Sequence, residues 1–567
     1  MSLENGNNNE QEFGLSHEEL LHILETAPSG IKSYISHLEQ QIKNFSDIGL
    51  SLSKEKDMNV LLEKILLEAR RITIADGGTL YMMTNNKQLR FEIMMTDSLN
   101  FHMGGTSGKD IPFYPIKLYN DDGEPNETMI AAYVALTGKT VNLPDAYEAK
   151  GFDFSGMKAF DQKTGYRSKS FLTVPLKNHE DEIIGVLQLL NAQEKKTGEV
   201  IPFLPDVQEL VESLASQAAV AITNKNLIKD LEILFESFIK LIASAIDAKS
   251  PYTGGHCSRV PEITMMIAEA VNDSQNEHFK NIHFNEKELY ELKIAAWLHD
   301  CGKVATPEYV VDKATKLETI YDRIHTVETR FEVLKRDYEI QFLKQQLKLE
   351  KDESLSKQEI KNALNKIKDK YKKQLVQLNE ERTFVKEINI GGEFMSKDKK
   401  ERVNKIAGYQ WIDNGKKKNF LSEDEVKNLC IAKGTLTAEE RKIINDHIVH
   451  TIDMLKQLPY PKHLKNVPEF AGGHHEKLDG TGYPLGLTND EMSIQAKAMA
   501  IADVFEALTA KDRPYKDGKT LSMAMRIMGF MKNDAHVDPH LFDLFVQEKI
   551  YLKYAEKYLS KDQLDMD

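Results

Sequence analysis

The stretches LHDCGK, Leu298 to Lys303, and GGHHEKLDGTGYP, Gly472 to Pro484, decide how this chain is read. The first ends a run of apolar residues at helical spacing and sets His299 beside Asp300. The second sets His474 beside His475 ahead of a glycine-rich turn. A third stretch, AIADVFEALTAKDRPYK from Ala500 to Lys516, carries Asp503 in an otherwise apolar helical pattern. One His-Asp pair alone is what a surface histidine and an N-cap aspartate also supply. The three together are costly to bury unless something compensates them, and a shared metal cluster compensates all of them at once. Imidazoles and carboxylates without thiolates suit Mn, Fe or Zn rather than a sulfur site. A carboxylate with two oxygens can bridge two such ions about 3.5–4 Å apart.

Outward from these stretches, the 567 residues predict about three or four folded units. With 41% hydrophobic and 29% charged residues the bulk is ordinary globular sequence, and only the first dozen residues look disordered. Asp and Glu number 88 against 74 Lys and Arg, a net charge of −14, which argues against nucleic acid as a partner. A small anionic substrate stays compatible, since metal ions or lysines reverse the field inside one cleft. The three cysteines, Cys257, Cys301 and Cys430, have no paired spacing and predict a reducing compartment. Without a signal pattern or a run of about 18–20 apolar residues, the reading is a cytoplasmic protein with no membrane partner.

Residues from about Ser16 to Leu52 carry helical apolar spacing, and Asp57 opens a second amphipathic run. GTLYMMT from Gly78, RFEIMMT from Arg90, FLTVPLK from Phe171 and EIIGVLQLLNA from Glu182 read as strands between turn residues. The expectation is a mostly antiparallel sheet flanked by helices. From Leu227, the residues Leu227, Leu231, Leu234, Phe238, Leu241 and Ala245 alternate steps of four and three. That spacing predicts a parallel two-stranded coiled coil and a homodimer, with one long helix packed on its own domain as the other arrangement. Between about Ile320 and Glu387 a Lys- and Glu-rich pattern, broken where Ser356 and Glu359 form a capping box, predicts a charged helical hairpin.

The first third resembles a GAF domain over residues 42–226, which implies either a small-molecule sensor or a packing and dimerisation module. Where cyclic-nucleotide-binding GAF domains carry an Asn-Lys pair, Asn191 is followed by Ala192, although Phe203 and Asp206 can stand for the later part of that pattern. HDCGK with HHEKLDGTGYP, supported by PYTGGHCSRV from Pro251, resembles the HD-GYP family of phosphohydrolases that cleave cyclic di-GMP. The resemblance implies metal ligands His299, Asp300, His447, His474, His475 and Asp503, with His256 as a further one. It implies two divalent ions, Fe or Mn before Zn or others, with Asp300 and Lys303 catalytic. Lys303 would contact the scissile phosphate, and Arg513 and Lys516 would hold the other phosphate or a guanine. Tyr252 stands where three-metal members carry a carboxylate, which leaves His256 free to orient a water or phosphate instead.

The middle histidine is displaced along the chain by an insertion. His447 follows Leu436 by eleven residues, the family spacing, whereas His325 follows Leu317 by eight. The expected architecture is multidomain. A leader and helix (1–41) precede an α+β GAF-like sensor domain (42–226), a coiled-coil linker (227–246) and an all-α HD-domain bundle (247–560) with a helical-hairpin insertion at about 318–432. The expected function is hydrolysis of cyclic di-GMP to linear pGpG, with either pGpG or GMP as the end product, regulated by the GAF-like domain. The alternatives are a phosphohydrolase of another cyclic dinucleotide or nucleotide, and a non-catalytic cyclic di-GMP receptor.

Overall fold

The computed structural model describes residues 26–249, 255–392, 394–511 and 518–566, and the chain divides into two compact units, one ending at Ile233 and the other beginning at Leu234. The first part of the predicted leader lies outside the described residues. Its later part opens a helix, Ser29–Lys54, that continues past the predicted boundary at residue 41.

In the first unit, Asp57 caps the helix Met58–Thr73 by accepting from the Val60 amide. The four predicted strands appear as β1 (Ala75–Met83), β2 (Gln88–Thr96), β6 (Phe171–Lys177) and β7 (Ile183–Gln193). Four short strands join them: β3 (Phe101–Gly104), β4 (Ile116–Lys117), β5 (Val141–Leu143) and β8 (Val200–Ile201). Two to four residues are too few to show the alternation by which a strand is recognised. The sheet runs β3-β2-β1-β7-β6-β5, with β4 on β2 and β8 on β7, and its pairs are antiparallel.

Leu62, Ile65 and Leu66 pack with Leu187, Leu189, Leu214 and Ala218 to form one core of this unit. Gly78 permits that approach, because a Cβ there would stand 2.7 Å from Leu66 Cδ1. A second core, with the helix Ile130–Thr137, gathers Tyr81, Leu89, Val134, Phe171 and Val186.

The second unit is helical. Its main core draws on residues between Ile239 and Cys301 and again between Leu455 and Ala555. A separate core, from Leu317 to Leu429, fills the interval. The predicted hairpin is there as helices Ile324–Glu350 and Lys357–Asn389, with the Ser356–Glu359 capping box formed and Phe342 stacked on Tyr371 at 5.0 Å. The segment between Leu317 and Leu429 holds more than that hairpin. Helices Lys397–Ala407 and Glu423–Leu429 bracket a two-stranded β9 (Gln410–Asp413) and β10 (Lys416–Asn419). Asn414 and Gly415 both adopt positive φ at the turn, the preference of a tight hairpin for Asn-Gly. At the root of the insertion the buried Lys316 donates to the Leu429 and Ile431 carbonyls at 3.1 and 3.0 Å.

The helix Pro205–Lys249 runs unbroken through the predicted linker. Leu227, Leu231, Leu234, Phe238 and Leu241 are all exposed along it, whereas Ile239, Ala243 and Ile246 are buried in the main core of the second unit.

Candidate metal centre

His299 sits at the C-terminal end of the helix Glu286–Leu298, which starts with a capping box between Asn285 and Glu288 and buries Leu292, Ala295 and Ala296. The chain then tightens into the 3-10 turn Cys301–Ala305. Gly302 is required there. A Cβ on it would fall 2.0 Å from the His447 carbonyl oxygen and 2.5 Å from the Thr451 amide nitrogen. This close approach, tied by the Gly302 amide donating to Thr451 Oγ1 at 2.9 Å, sets Asp300 against the helix His447–Lys456. Lys249 holds the same turn from outside through the Lys303 and Thr306 carbonyls at 3.2 and 2.7 Å.

Three histidines are aimed by one device. His299 and His474 each donate from Nδ1 to the carbonyl three residues back, Ala296 and Ala471, both at 2.7 Å. His447 does the same toward Ile444. With the proton held on Nδ1, the Nε2 lone pair of each ring is free to ligate. His256 is held differently: its Nδ1 contacts the Glu506 carboxylate, which also accepts from Arg259 Nε and Nη2 at 2.7 and 2.6 Å. The glycine-rich stretch folds over the last histidine. Glu476 accepts from the Leu485 and Leu487 amides at 2.7 and 3.0 Å, and Tyr483 stacks on His475 with ring centroids 4.9 Å apart. Gly482 permits the return, since a Cβ there would lie 2.3 Å from the Lys477 nitrogen.

The ring atoms so aimed meet around Asp300. On its Oδ2 side stand His256 Nε2 at 3.2 Å and His299 Nε2 at 3.3 Å, and His256 Nε2 is also 3.3 Å from Asp503 Oδ1. On its Oδ1 side stands His447 Nε2 at 3.2 Å. Two sets of donor atoms result, His256 with His299 and Asp300, and Asp300 with His447, His474 and His475, each within 4.8 Å. Asp300 belongs to both. Asp300 Oδ1, His447 Nε2 and His474 Nε2 are buried and make no hydrogen bond. Two lone pairs facing each other at 3.2 Å repel unless a cation lies against them, so this donor set fits divalent metal.

Electrostatics agree with that fit. Burial alone would raise Asp300, yet the Lys303 ammonium and the neighbouring imidazoles hold its carboxyl well below the usual range. Asp503 is likewise raised by burial and brought well below its ordinary value by His256 and the other histidines. Burial pushes His474 well down and His475 down to about 4, so both rings are neutral ligand donors near pH 7. Burial also opposes charge on His256, but Glu506, Asp300 and Asp503 outweigh it and raise its pKa well above the usual value. Burial pushes the Cys301 thiol up to about 11, which leaves it a small buried group rather than a nucleophile.

The structure therefore brings together seven residues singled out from sequence: His256, His299, Asp300, His447, His474, His475 and Asp503. Lys303 joins them with its Nζ against Asp300 Oδ2. Arg513 and Lys516, and Tyr252 upstream, lie outside the described residues. Glu506 and Arg259 went unread, although each stands three residues after a residue already chosen, Asp503 and His256. On a helix that spacing shares a face, which was the available signal.

Models of the HD domain match residues 253–386 and 424–541, and a GAF domain model matches residues 57–222. Residues 387–423, between the two HD matches, lie in the segment from Leu317 to Leu429 that has its own core. Over 133 residues the chain is 34% identical to the 3'3'-cGAMP-specific phosphodiesterase 3 of Vibrio cholerae, 23% of this chain and 28% of that protein. Over 114 residues it is 45% identical to a cyclic di-GMP phosphodiesterase of Pseudomonas aeruginosa, 20% of this chain and 26% of that protein. The matched stretches thus span under a third of these relatives. Among solved structures, the GAF domain of an Acinetobacter phosphoenolpyruvate-protein phosphotransferase resembles the chain at 14% identity. That match covers 33% of this chain and 96% of the other, with a TM-score of 0.24.

Proposed function

We propose that this chain, which carries a GAF domain and an HD domain, is a metal-dependent phosphodiesterase of the HD-GYP type that opens cyclic di-GMP to linear pGpG and onward to GMP. The observation that carries the reading is Asp300. One buried carboxylate is shared by two sets of donor atoms, and on its Oδ1 side Asp300, His447 Nε2 and His474 Nε2 face one another with no hydrogen bond. His256, His299, Asp300 and Asp503 would hold one divalent ion, and Asp300, His447, His474 and His475 the other, with Fe or Mn favoured by the nitrogen and oxygen donors. Bound cations would bring a coordinated water toward neutral pKa and polarise the phosphate oxygens.

The chain's own groups supply the rest. Lys303, half-buried with its ammonium beside Asp300, presents a fixed positive charge where a nonbridging phosphate oxygen gains charge. Glu506 and Arg259 hold the His256 ring in place, and Tyr483 covers His475, which keeps both donors from rotating. Arg513 and Lys516 would take the second phosphate or a guanine. We assign the protein to the cytoplasm on its cysteine usage; among the described residues no helix is long and apolar enough to cross a membrane. The exposed seam from Leu227 to Leu241 would join two copies as a parallel coiled coil, and the GAF domain would take a small-molecule ligand.

The test is anaerobically purified protein with cyclic di-GMP and Mn or Fe(II), beside Asp300→Ala, with products followed by chromatography. Metal-dependent pGpG from the wild type alone is expected. Intact substrate despite two bound metals per chain would overturn the assignment. A parallel arm with 3'3'-cGAMP is required because several relatives bear names specific for it. Preferential cleavage of that dinucleotide would change the substrate and leave the chemistry.

A further inference from the structure

The first unit encloses a cavity of about 490 Å³, within the range of small-molecule sites. Its wall is apolar and aromatic. Phe91, Phe101, Phe154, Phe160 and Phe171 line it, together with the methionines 94, 95, 129 and 157. Methionine side chains repack around ligands of differing outline, and the phenyl rings offer faces and edges to a flat partner. Phe113, on an irregular segment, leans over Phe91 with centroids 5.6 Å apart and stays partly exposed, so the wall reaches solvent on that side.

The charge of the lining decides what fits. Among the described residues the lining includes no Lys, Arg or His. Its one charged side chain is Asp153, an exposed carboxylate that accepts from the Ser155 amide at 2.8 Å and whose pKa is lowered by that bond, so it is anionic at neutral pH. Four of the polar side chains in the lining are engaged within the protein. Tyr81 donates to Gln188 Oε1 at 3.2 Å, Gln188 Nε2 donates to Thr173 at 3.1 Å, Tyr166 donates to Asp76 at 2.6 Å and Ser168 donates to Asp161 at 2.8 Å. A phosphate entering this space would lose its hydration and meet no cation.

Asn191, which stands where nucleotide-binding relatives of this fold carry their Asn-Lys pair, is also spent on structure. It accepts from the Lys169 amide at 2.7 Å and donates to the Arg167 carbonyl at 2.8 Å. Phe203, from the later part of that pattern, is buried in the core.

From this lining we infer that the cavity binds an uncharged, largely aromatic small molecule and excludes cyclic nucleotides. The inference rests on the reading of this unit as a sensor only for its purpose; the site itself stands on the lining.

The test uses the full chain with naphthalene and indole as uncharged probes and cyclic GMP as the anionic one, followed by calorimetry and ligand-detected NMR. Met157→Trp and Met94→Trp each fill the cavity from a half-buried position, and circular dichroism checks that they fold. Saturable binding of naphthalene at one site per chain, weakened at least tenfold by either filled variant and not displaced by cyclic GMP, is the expected result. Absence of saturable binding, binding indifferent to both variants, or displacement by cyclic GMP would overturn the inference. Because binding is read directly, naphthalene that binds without altering hydrolysis supports the ligand class and counts only against sensing.

Discussion

The two interiors of this molecule treat buried polar atoms in opposite ways. In the cavity of the first unit Tyr81, Gln188, Tyr166 and Ser168 are hydrogen-bonded to the protein, and what remains is a largely apolar space with no cation among its described lining residues. In the HD unit, Asp300 Oδ1, His447 Nε2 and His474 Nε2 are aimed at one another and left without hydrogen bonds. Leaving a buried polar group unpaired costs about 1–3 kcal/mol each, so the second arrangement is stabilised by a bound cation. The contrast teaches where each interior expects its ligand to supply charge. The donor set of the HD unit fits cations, and the cavity of the first unit fits an uncharged ligand.

The sharpest way to break this contrast is Asp300→Ala. One carboxylate serves both donor sets, so its loss is expected to empty both metal sites and lower turnover by more than about 10³-fold, beyond the loss of a single electrostatic donor. Metal analysis beside the kinetics checks it. A variant that keeps two metals per chain would show that Asp300 does not join the sets.

The next effect is one of pH on the metal-free protein. The folded pKa of His475 is depressed to about 4 by burial, below the ordinary 6.5. Between those values the unfolded chain takes up a proton that the folded chain refuses, so the unfolded state gains as pH falls. Stability is fully present above about 6.5 and declines toward 4, by about 3 kcal/mol from this group. His474, depressed by the same cause, acts in the same direction. Denaturant melts from pH 7 to 4 on chelated protein measure the slope, and His475→Asn is expected to flatten it. A slope unchanged in that variant would place the proton uptake elsewhere.

Glu506→Gln removes the charge that orients His256 and turns one of the two accepting oxygens, which serve His256 and Arg259, into a donor. Partners of this kind typically affect metal affinity by about 10–100-fold, and a loss in that range at one site, with the other retained, is the expected titration. Equal weakening of both sites would mean that His256 acts on the centre as a whole.

How much of this was legible depended on whether the signal was local. Adjacent histidines, the His-Asp pair and the glycine-rich turn are contiguous, and they led to seven residues that the fold brings together across the chain. Gly302 was quoted in its motif, but its reason, a 2.0 Å clearance to the His447 carbonyl, exists only once two distant segments meet. Glu506 reads as an ordinary helical glutamate until its partner His256 is placed beside it. The strands β1, β2, β6 and β7 were long enough to show alternation, whereas β3, β4, β5 and β8 were too short. The insertion showed its charged hairpin, whose helices are periodic, but not its own core, which depends on contacts such as Phe331 with Phe420 at 4.5 Å. The β9–β10 turn did leave a local signal, Asn414-Gly415, inside a run of lysines that masked the strand pattern.

The smallest expected effect tests the other side of the contrast, the first unit. Asn191 is buried at a positive φ of 55°, a conformation asparagine tolerates better than alanine, and its amide spans Lys169, Ser170 and Arg167. Asn191→Ala removes these bonds and adds backbone strain, an expected loss of about 1–3 kcal/mol in stability of the first unit. Metal content should be unchanged, because every donor atom of the centre belongs to the other unit. Hydrogen exchange read peptide by peptide separates the two: faster exchange in β6 and β7 with unaltered protection around Asp300 is expected. If the loss of Asn191 instead released metal, the two interiors would be coupled and the contrast between them would fail.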